Sequence, residues 1–434
     1  MESTKKVKER VFIIGLYTGK EDKQEYENTI AELEHLCKTA DAQVIDVFVQ
    51  QLDKPNASTY IGKGKIEEIK ERTKEDEVDT LIFNDNLSPA QARNIARITE
   101  CNIVDRTELI LDIFATHAKT KQAKMQVELA ILQYNYSKLR NLWQHFSRIE
   151  GGIGTRGPGE TQIELDRREI QKKISKLKER IKEVEKVSVV KRKKRKQFEN
   201  VALVGYTNAG KSTLFNRLTG EQRYVANKLF ATLDSTTRAL DTKESDRIVL
   251  SDTVGFIRKL PHTLVSSFHS TLLEVTEADL LLHVVDVSQP DIEAYINSVN
   301  EVLKELGADN KEILYVFNKF DSLEDNIQKK MLKKSLELKY HNTIFISAKY
   351  DQDFDELKEM IVQLLRESKK ESVVRIPTEL KNLLSYIESD IDIVMREFDQ
   401  LTIEHVITIR ASKEDTKNII KQIEEYKLKK YINE

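Results

Sequence analysis

The sequence predicts an α/β protein in which two regions of parallel β-sheet flank an antiparallel helical hairpin, with a small αβ appendage at the end. Two observations support this prediction. In both sheet regions, apolar runs alternate with segments whose apolar residues have the period of a helix. Between the two sheet regions lie two heptad seams, separated by a glycine-rich break. The 434 residues are too many for one compact core, so we expect several domains. Their predicted bounds are 1–118, 119–197, 198–368 and 371–434.

Composition excludes several classes of protein. With 14 Gly and 6 Pro among 434 residues, a collagen-like or broadly disordered chain is excluded. The 70 basic and 72 acidic residues nearly cancel, so net charge identifies no partner, and any nucleic-acid face must be a local cluster. Cys37 and Cys101 lie too far apart for a disulfide framework or a zinc motif. The polar N-terminus and short apolar runs predict neither a signal peptide nor a membrane span.

The N-terminal region alternates strand-like and helical segments. The predicted strands cover residues 11–16, 43–50, 80–83 and 102–104, and the predicted helices cover residues 24–40, 65–74 and 89–99. Strands that alternate with helices are typical of βαβ units, so this region should form a parallel sheet.

The middle region carries two apolar seams at alternating spacings of three and four, each of which predicts one face of a long helix. Between them, residues 151–159 are rich in glycine and proline, and we expect no helix there. The result should be a helical hairpin with a flexible tip, followed by six consecutive basic residues, 191–196. The seams consist of Met125, Leu129, Leu132, Tyr136, Leu139, Trp143 and Phe146, and of Ile170, Ile174, Leu177, Ile181 and Val184.

The third region, residues 200–367, has stronger strands. Residues 201–205, 248–250, 280–287, 313–317 and 343–346 are continuous apolar runs, as expected of strands buried on both faces. In the tail, residues 401–409 alternate and a helix-period run follows, which predicts the small αβ appendage.

A phosphate-binding loop follows the first of these strands. The segment fits the pattern G-x4-G-K-[ST] and lies between a predicted strand and a predicted helix, as that motif requires. The glycines allow backbone N–H groups to surround phosphate, the lysine reaches the β- and γ-phosphates, and the serine is a ligand for Mg²⁺. The expected nucleotide contacts are Gly205, Tyr206, Thr207, Asn208, Ala209, Gly210, Lys211 and Ser212.

A second loop identifies the base as guanine. Asp321, after the strand 313–317, can accept from N1–H and the exocyclic amine of guanine, whereas adenine would leave a buried carboxylate unpaired. Asn318 should connect this loop to the phosphate loop, and the stem of Lys319 should cover the base. The remaining expected contacts are Phe320 and, through the backbone, Ser347, Ala348 and Lys349.

Two switch segments lie between these loops. We expect Asp252 to hold Mg²⁺ through water, Gly255 to sense the γ-phosphate, and the Thr232 hydroxyl to complete the metal shell. Where many GTPases have a glutamine that orients water, this chain has Phe256, so either another group positions water or hydrolysis alone is slow. No catalytic residue is identified; Lys211, Thr232 and Gly255 are expected to contact the γ-phosphate or the transition state. The neighbouring expected contacts are Phe230, Ala231, Leu233, Asp234, Thr253 and Val254.

The segments GYTNAGKS, LFATLD, DTVGF, NKFD and SAK together resemble the HflX family of ribosome-associated GTPases. The resemblance extends to residues 60–65, to Asp105-Arg106-Thr107 and to GGIGTRGPGET at 151–161, its most specific part, and it covers roughly residues 11–367. That family also has a hydrophobic residue at the position of Phe256, although it usually has proline where this chain has Ser235.

The resemblance implies binding to the large ribosomal subunit, through rRNA and ribosomal proteins, and rescue by splitting stalled or idle ribosomes under heat or other stress. A hairpin with a Gly/Arg tip suits this role because glycine lets the backbone approach RNA and arginine binds phosphate. The basic run 191–196 and the loop 62–65 are further candidate anion contacts. The expected RNA contacts at the tip are Arg148, Gly151, Gly152, Gly154, Arg156, Gly157 and Gly159.

Two alternatives remain open. The chain could be a ribosome-assembly GTPase of the Era or Obg kind that acts on rRNA, or a non-catalytic rRNA-binding scaffold that nucleotide merely stabilises. The expected cofactor is Mg²⁺, with GTP as the substrate and GDP as the product. We expect a cytoplasmic, ribosome-associated monomer without stable membrane insertion, at most peripheral at the membrane.

Overall fold

The computed structural model describes residues 8–20, 22–149, 158–193, 198–221, 229–230, 236–240, 248–258, 269–350, 354–368, 370–411 and 413–433. Among these residues, no helix is both long enough and apolar enough to cross a bilayer.

The N-terminal region is a four-stranded parallel sheet, as predicted. Its strands are β1 (Arg10–Tyr17), β2 (Gln43–Gln51), β3 (Thr80–Phe83) and β4 (Asn102–Asp105), in the order β2-β1-β3-β4. The helices are α1 (Lys23–Thr39), α2 (Lys63–Glu75), α3 (Pro89–Thr99) and α4 (Arg106–His117). Helix α4 was not predicted, although Asp105 and Glu108 form a capping box at its start.

The helical hairpin consists of α5 (Lys121–Ile149) and α6 (Pro158–Lys193). Leu129, Leu177 and Ile181 form a buried cluster between the two helices, so these parts of the predicted seams do face each other. The expectation that residues 151–159 contain no helix is wrong at its end, because Pro158 begins α6 and Gly159 follows it. Proline is favoured in the first helical turn, where its missing N–H costs nothing.

The third region is a six-stranded sheet. Its strands are β5 (Glu199–Gly205), β6 (Thr236–Ala239), β7 (Ile248–Asp252), β8 (Leu280–Asp286), β9 (Glu312–Asn318) and β10 (Thr343–Phe345). Their order in the sheet is β10-β9-β8-β5-β7-β6, and they are parallel except for the edge strand β6. Because β5, β7, β8 and β9 run parallel, their carboxyl ends share one edge of the sheet. The described helices are α7 (Lys211–Thr219), α8 (His269–Thr276), α9 (Ile292–Glu305), α10 (Asn326–Lys339) and α11 (Asp355–Ser368).

The C-terminal appendage is a small αβ unit, as predicted. Its elements, in chain order, are β11 (Lys370–Pro377), α12 (Lys381–Asp390), β12 (Asp392–Asp399), β13 (Glu404–Ala411) and α13 (Lys413–Asn433). The three strands form an antiparallel sheet in the order β11-β13-β12. Ile376, Ile387 and Ile407 form its buried core together with side chains from α13. Of these elements, the sequence predicts only the region of β13 and α13.

Candidate nucleotide-binding site

The phosphate loop connects β5 to α7 at the carboxyl edge of the six-stranded sheet. Gly205 and Gly210 have φ angles of +146° and +99°, which L side chains rarely adopt. A β-carbon at Gly205 would collide with the carbonyl oxygen of Val284, and one at Gly210 would collide with the side-chain nitrogen of Asn318. The shape of the loop therefore depends on glycine at both positions.

Lys211 is the first residue of α7 and is buried. Its ammonium donates hydrogen bonds to the carbonyl oxygens of Gly205, at 3.0 Å, and Tyr206, at 2.7 Å. Burial lowers the pKa of Lys211 to about 8, and the Asp252 carboxylate opposes that shift. A buried ammonium surrounded by neutral carbonyls is stabilised by an approaching anion, so the loop is suited to receive phosphate.

Ser212 and Asp252 lie together where α7 begins and β7 ends. The Ser212 hydroxyl donates to Asp252 Oδ2 at 2.7 Å. Thr253 is fully buried, and its hydroxyl donates to the carbonyl oxygen of Leu203 at 2.6 Å, which holds the end of β7 against β5. The hydroxyl and carboxylate oxygens are hard ligands of the kind Mg²⁺ prefers. Within the described part of the chain, no group of three His, Cys, Asp or Glu side chains could hold a metal alone.

The segment after β7 lies across the phosphate loop. The N–H of Phe256 donates to the carbonyl oxygen of Gly205 at 3.1 Å, and the N–H of Thr207 donates to that of Phe256 at 2.8 Å. A β-carbon on Gly255 would stand 3.0 Å from the Lys211 Nζ and 2.8 Å from Thr207 Cγ2. The Phe256 ring is 2% exposed in the core, so it lies away from any position that could orient water.

Asn318, at the end of β9, joins the phosphate loop to the loop after β10. Its side-chain nitrogen donates to the Ala209 carbonyl oxygen at 2.8 Å, and its side-chain oxygen accepts from the Ala348 N–H at 2.9 Å. Lys319 follows with a φ of +62°, and its ammonium reaches Asp286 Oδ2 at 2.6 Å. Segments distant in the sequence are thus held together around one side chain.

Asp321 lies in a short 3₁₀ turn, Phe320–Ser322, directly after β9. Its N–H donates to the Ser347 hydroxyl at 3.1 Å, which places it beside the loop that contains Ala348. Asp321 is exposed, as is Lys349. Burial of this carboxylate therefore requires a bound base, and its contact with guanine stays a prediction.

Of the other predicted nucleotide contacts, some are buried and some lie outside the described residues. Val254 is buried beside Thr253, and Phe230 is 2% exposed, with its ring 4.6 Å from that of Phe114 in helix α4. Thr232 lies outside the described residues, together with Ala231, Leu233 and Asp234.

The hairpin tip lies mostly outside the described residues as well. Arg148 belongs to α5 and Gly159 to the first turn of α6, but only their backbones are described. The other predicted RNA contacts, Gly151, Gly152, Gly154, Arg156 and Gly157, and the basic residues 194–196, fall in the gaps.

Sequence reasoning missed an interface between the N-terminal region and the phosphate loop. The Tyr206 hydroxyl donates to Glu32 of α1, and the other oxygen of Glu32 pairs with Arg106 of α4. A cavity of about 580 Å³ opens beside this contact, lined by residues that include Asn28, Glu32, Tyr206, Thr207 and His283. One signal in the sequence points to this interface, namely Asp105-Arg106-Thr107, which belongs to the family resemblance.

Three family models match successive parts of the chain. They are described as "GTP-binding GTPase N-terminal" for residues 27–115, "GTP-binding GTPase Middle Region" for 117–195 and "50S ribosome-binding GTPase" for 200–319. Among curated proteins, the chain is 43% identical to GTPase HflX of Caldanaerobacter subterraneus subsp. tengcongensis, over 92% of this chain and 91% of that one. It is 41% identical to GTPase HflX of Escherichia coli (strain K12), over 82% of this chain and 83% of that one.

Among solved structures, the chain is similar to a GTP-binding protein from Sulfolobus solfataricus in complex with GDP. The identity is 28%, with 83% of this chain and 99% of that chain covered and a TM-score of 0.43.

Proposed function

This chain belongs to the HflX family of GTPases, and we propose that it is a Mg²⁺-dependent switch that binds the large ribosomal subunit. In this proposal the GTP-bound form associates with rRNA and ribosomal proteins and splits or rescues stalled or idle ribosomes under stress such as heat. Hydrolysis then releases the protein.

The observation that best supports the nucleotide switch is the position of Asn318. One side chain contacts both the phosphate loop, at Ala209, and the loop that contains Ala348. A ligand that occupies both loops must carry phosphates and a base at a fixed separation, which describes a nucleotide. Asp321 lies beside the same loops, so we propose that its carboxylate selects guanine once the base covers it.

We propose that Lys211 contacts the β- and γ-phosphates and that the Gly255 amide reads the γ-phosphate. Ser212 and Thr232 would be direct ligands of Mg²⁺, and Asp252 would hold the metal through water. The 2.7 Å contact between the Ser212 hydroxyl and the Asp252 carboxylate supports this assignment, because both oxygens would face the same ion. Bound Mg²⁺ would neutralise charge on the phosphates.

The burial of Phe256 supports a requirement for a partner in hydrolysis. At 2% exposure its ring cannot hold a water molecule, and it carries no hydrogen-bonding group. Another group must position the attacking water, and we propose that the ribosome supplies or orders that group. Hydrolysis by the protein alone should then be slow.

We further propose that the hairpin is the arm that reaches rRNA, with Arg148, Arg156 and the tip glycines as contacts. The helices α5 and α6 give the arm a packed base, since Leu129 contacts the cluster of Leu177 and Ile181. The division into units 1–118, 119–197, 198–368 and 371–434, and a monomeric cytoplasmic form without stable membrane insertion, belong to the same proposal.

The decisive experiment compares GTP hydrolysis with and without purified large ribosomal subunits. We expect strong stimulation by large subunits, little by small subunits, and tighter binding to large subunits with a non-hydrolysable GTP analogue than with GDP. A charge-removing variant of the tip, Arg156→Ala, should lose most of the stimulation but keep nucleotide affinity. Ser212→Ala, in contrast, should lose Mg²⁺-dependent GTP binding.

Separate outcomes identify the alternatives. Density-gradient analysis would show dissociation of intact ribosomes if the chain splits them, and binding only to immature particles if it is an assembly GTPase. Little stimulation, with ribosome-linked activity that survives Ser212→Ala, would instead indicate a scaffold and would refute the switch.

A further inference from the structure

The cavity beside the phosphate loop has a volume of about 580 Å³, which is within the range of sites that hold small organic ligands. One wall is helix α1 of the N-terminal region. The other is formed by residues 206–208 of the phosphate loop, the end of β8 and the start of α9. Lys211, Ser212 and Asn318 are not among the described residues that line it. The cavity is therefore distinct from the place where we expect the phosphates, the base and Mg²⁺ to bind.

Helix α1 lines this cavity with polar side chains. Asn28, Glu32, His35 and Thr39 recur at spacings of four and three, so they lie on one face of the helix. The opposite face carries Leu33, which is fully buried in a core cluster with side chains of β1. A polar helix face turned toward another part of the protein is typical of a wall that contacts a polar ligand or ordered water.

Three side chains around the cavity have buried polar atoms that find no hydrogen-bond partner in the portion of the chain that the structure covers. These atoms are the amide nitrogen of Asn28, the hydroxyl oxygen of Thr207 and Nδ1 of His283. Thr207 is 6% exposed and His283 is 1% exposed, so bulk water does not reach these atoms. Buried polar groups are nearly always hydrogen-bonded, because an unpaired one costs free energy. A molecule inside the cavity would supply the missing partners.

The charges around the cavity favour an anionic ligand. The Glu32 carboxylate is paired with Arg106, and the Asp286 carboxylate is paired with Lys319, so neither is available to a cation. Lys38, in contrast, is exposed at the rim of the cavity and has no carboxylate partner among the residues that the structure describes. An anionic group at Lys38 would form a charge-assisted contact without displacing an existing ion pair.

The rest of the lining is largely apolar and aromatic. The rings of Tyr206 and Tyr295 pack edge to face, with their centroids 4.6 Å apart. Leu229, Pro290 and Ile296 line the same space. Such surfaces are suited to a planar apolar ring system and not to a bare inorganic ion.

We propose that this cavity is a second ligand site, separate from the nucleotide site, and that it takes a small organic anion with a planar apolar ring system. The anionic group contacts Lys38 at the rim, and the ring system lies beside Tyr295. Polar atoms of the ligand bond to Asn28, Thr207 and His283 inside the cavity. The inference does not depend on the ribosomal role.

The test is an equilibrium titration of the full-length chain, saturated with GDP and Mg²⁺, with 1-naphthyl phosphate as the probe. Saturation with GDP keeps the probe out of the nucleotide site. We expect one probe to bind per chain, with an affinity at least about fivefold higher than that of inorganic phosphate or of 1-naphthol. Inorganic phosphate lacks the ring system, and 1-naphthol lacks the charge, so each measures one half of the proposed recognition.

Substitutions in α1 locate the binding. Lys38→Met and Asn28→Ala should each weaken the binding of the probe about fivefold, since one removes the cation at the rim and the other a donor inside. Ala31→Phe fills the cavity from the exposed side of α1 and should weaken binding at least about twentyfold. Lys23→Met is the matched control, because Lys23 is also an exposed lysine of α1 but does not line the cavity. This control should bind the probe as tightly as the wild type.

Hydrogen exchange provides a second readout, in which the probe should slow exchange in α1 and leave exchange in α13 of the appendage unchanged. Failure of 1-naphthyl phosphate to bind would overturn the proposal and indicate a cavity that holds only water. Equal affinities for the three compounds, or equal affinities of the wild type and the three cavity variants for the probe, would overturn it as well. Neither ribosomes nor GTP hydrolysis enter these measurements, so such results would leave the proposed function standing.

Discussion

Replacement of Lys211 by methionine should change how the stability of the protein depends on pH. In the folded chain burial lowers the pKa of Lys211 from 10.5 to about 8, so its charged form is disfavoured. Between these two values the unfolded chain holds a proton that the folded chain has released. Unfolding then takes up a proton, and the free energy of unfolding rises with pH over this interval.

The size of this effect follows from the two pKa values. A difference of roughly 2.5 corresponds to about 3 kcal/mol, since each pKa unit is about 1.4 kcal/mol. Below about pH 8 the buried ammonium should therefore cost about 3 kcal/mol of stability, and that cost should disappear by about pH 10.5. The hydrogen bonds from Lys211 to the carbonyls of Gly205 and Tyr206 offset part of this cost. We therefore expect the buried ammonium to lower the free energy of unfolding by about 1–3 kcal/mol.

Urea denaturation at a series of pH values, without nucleotide, measures this effect. Lys211→Met should be more stable than the wild type near neutral pH, and the two should converge as the pH approaches 10.5. Lys330→Met, in the exposed part of helix α10, controls for the loss of a surface charge. Parallel pH profiles for the wild type and Lys211→Met would refute the reasoning.

Three further substitutions test the site and its supports. Gly210→Ala should reduce nucleotide affinity at least tenfold, because a β-carbon there would collide with Asn318. Its control is Gly220→Ala, where φ is +70° but an added β-carbon meets open space, and it should cost only about 1 kcal/mol in thermal denaturation. Phe256→Gln should lower stability by about 3 kcal/mol without faster intrinsic hydrolysis, since the position is in the core; a faster single-turnover rate would contradict its placement. Arg106→Ala should cost about 3–5 kcal/mol by leaving the mostly buried Glu32 carboxylate without its positive partner, whereas a loss below about 1 kcal/mol in chemical denaturation would show that water reaches the carboxylate.

Much of the nucleotide site was predictable because its signals are local. The phosphate loop needs glycine at 205 and 210 for φ angles that other residues rarely adopt, and that requirement is visible as a fixed spacing in the sequence. The parallel strands were visible for a similar reason, since strands buried on both faces are continuous apolar runs. Where the signal is weaker, the prediction is incomplete or wrong. The sequence does not indicate β11 and β12 of the antiparallel appendage, and the prediction of no helix at Pro158 is wrong, because Pro158 begins α6.

The sequence by itself therefore determined the fold class, the family and the order of the nucleotide-binding segments. Tertiary structure alone decided that the Asp321 carboxylate is exposed, because exposure depends on which other segments pack over the turn Phe320–Ser322. It also decided that Tyr206 meets Glu32, a contact between residues 174 positions apart. No local spacing encodes such a pair, since it forms only when helix α1 of the N-terminal region packs against the phosphate loop.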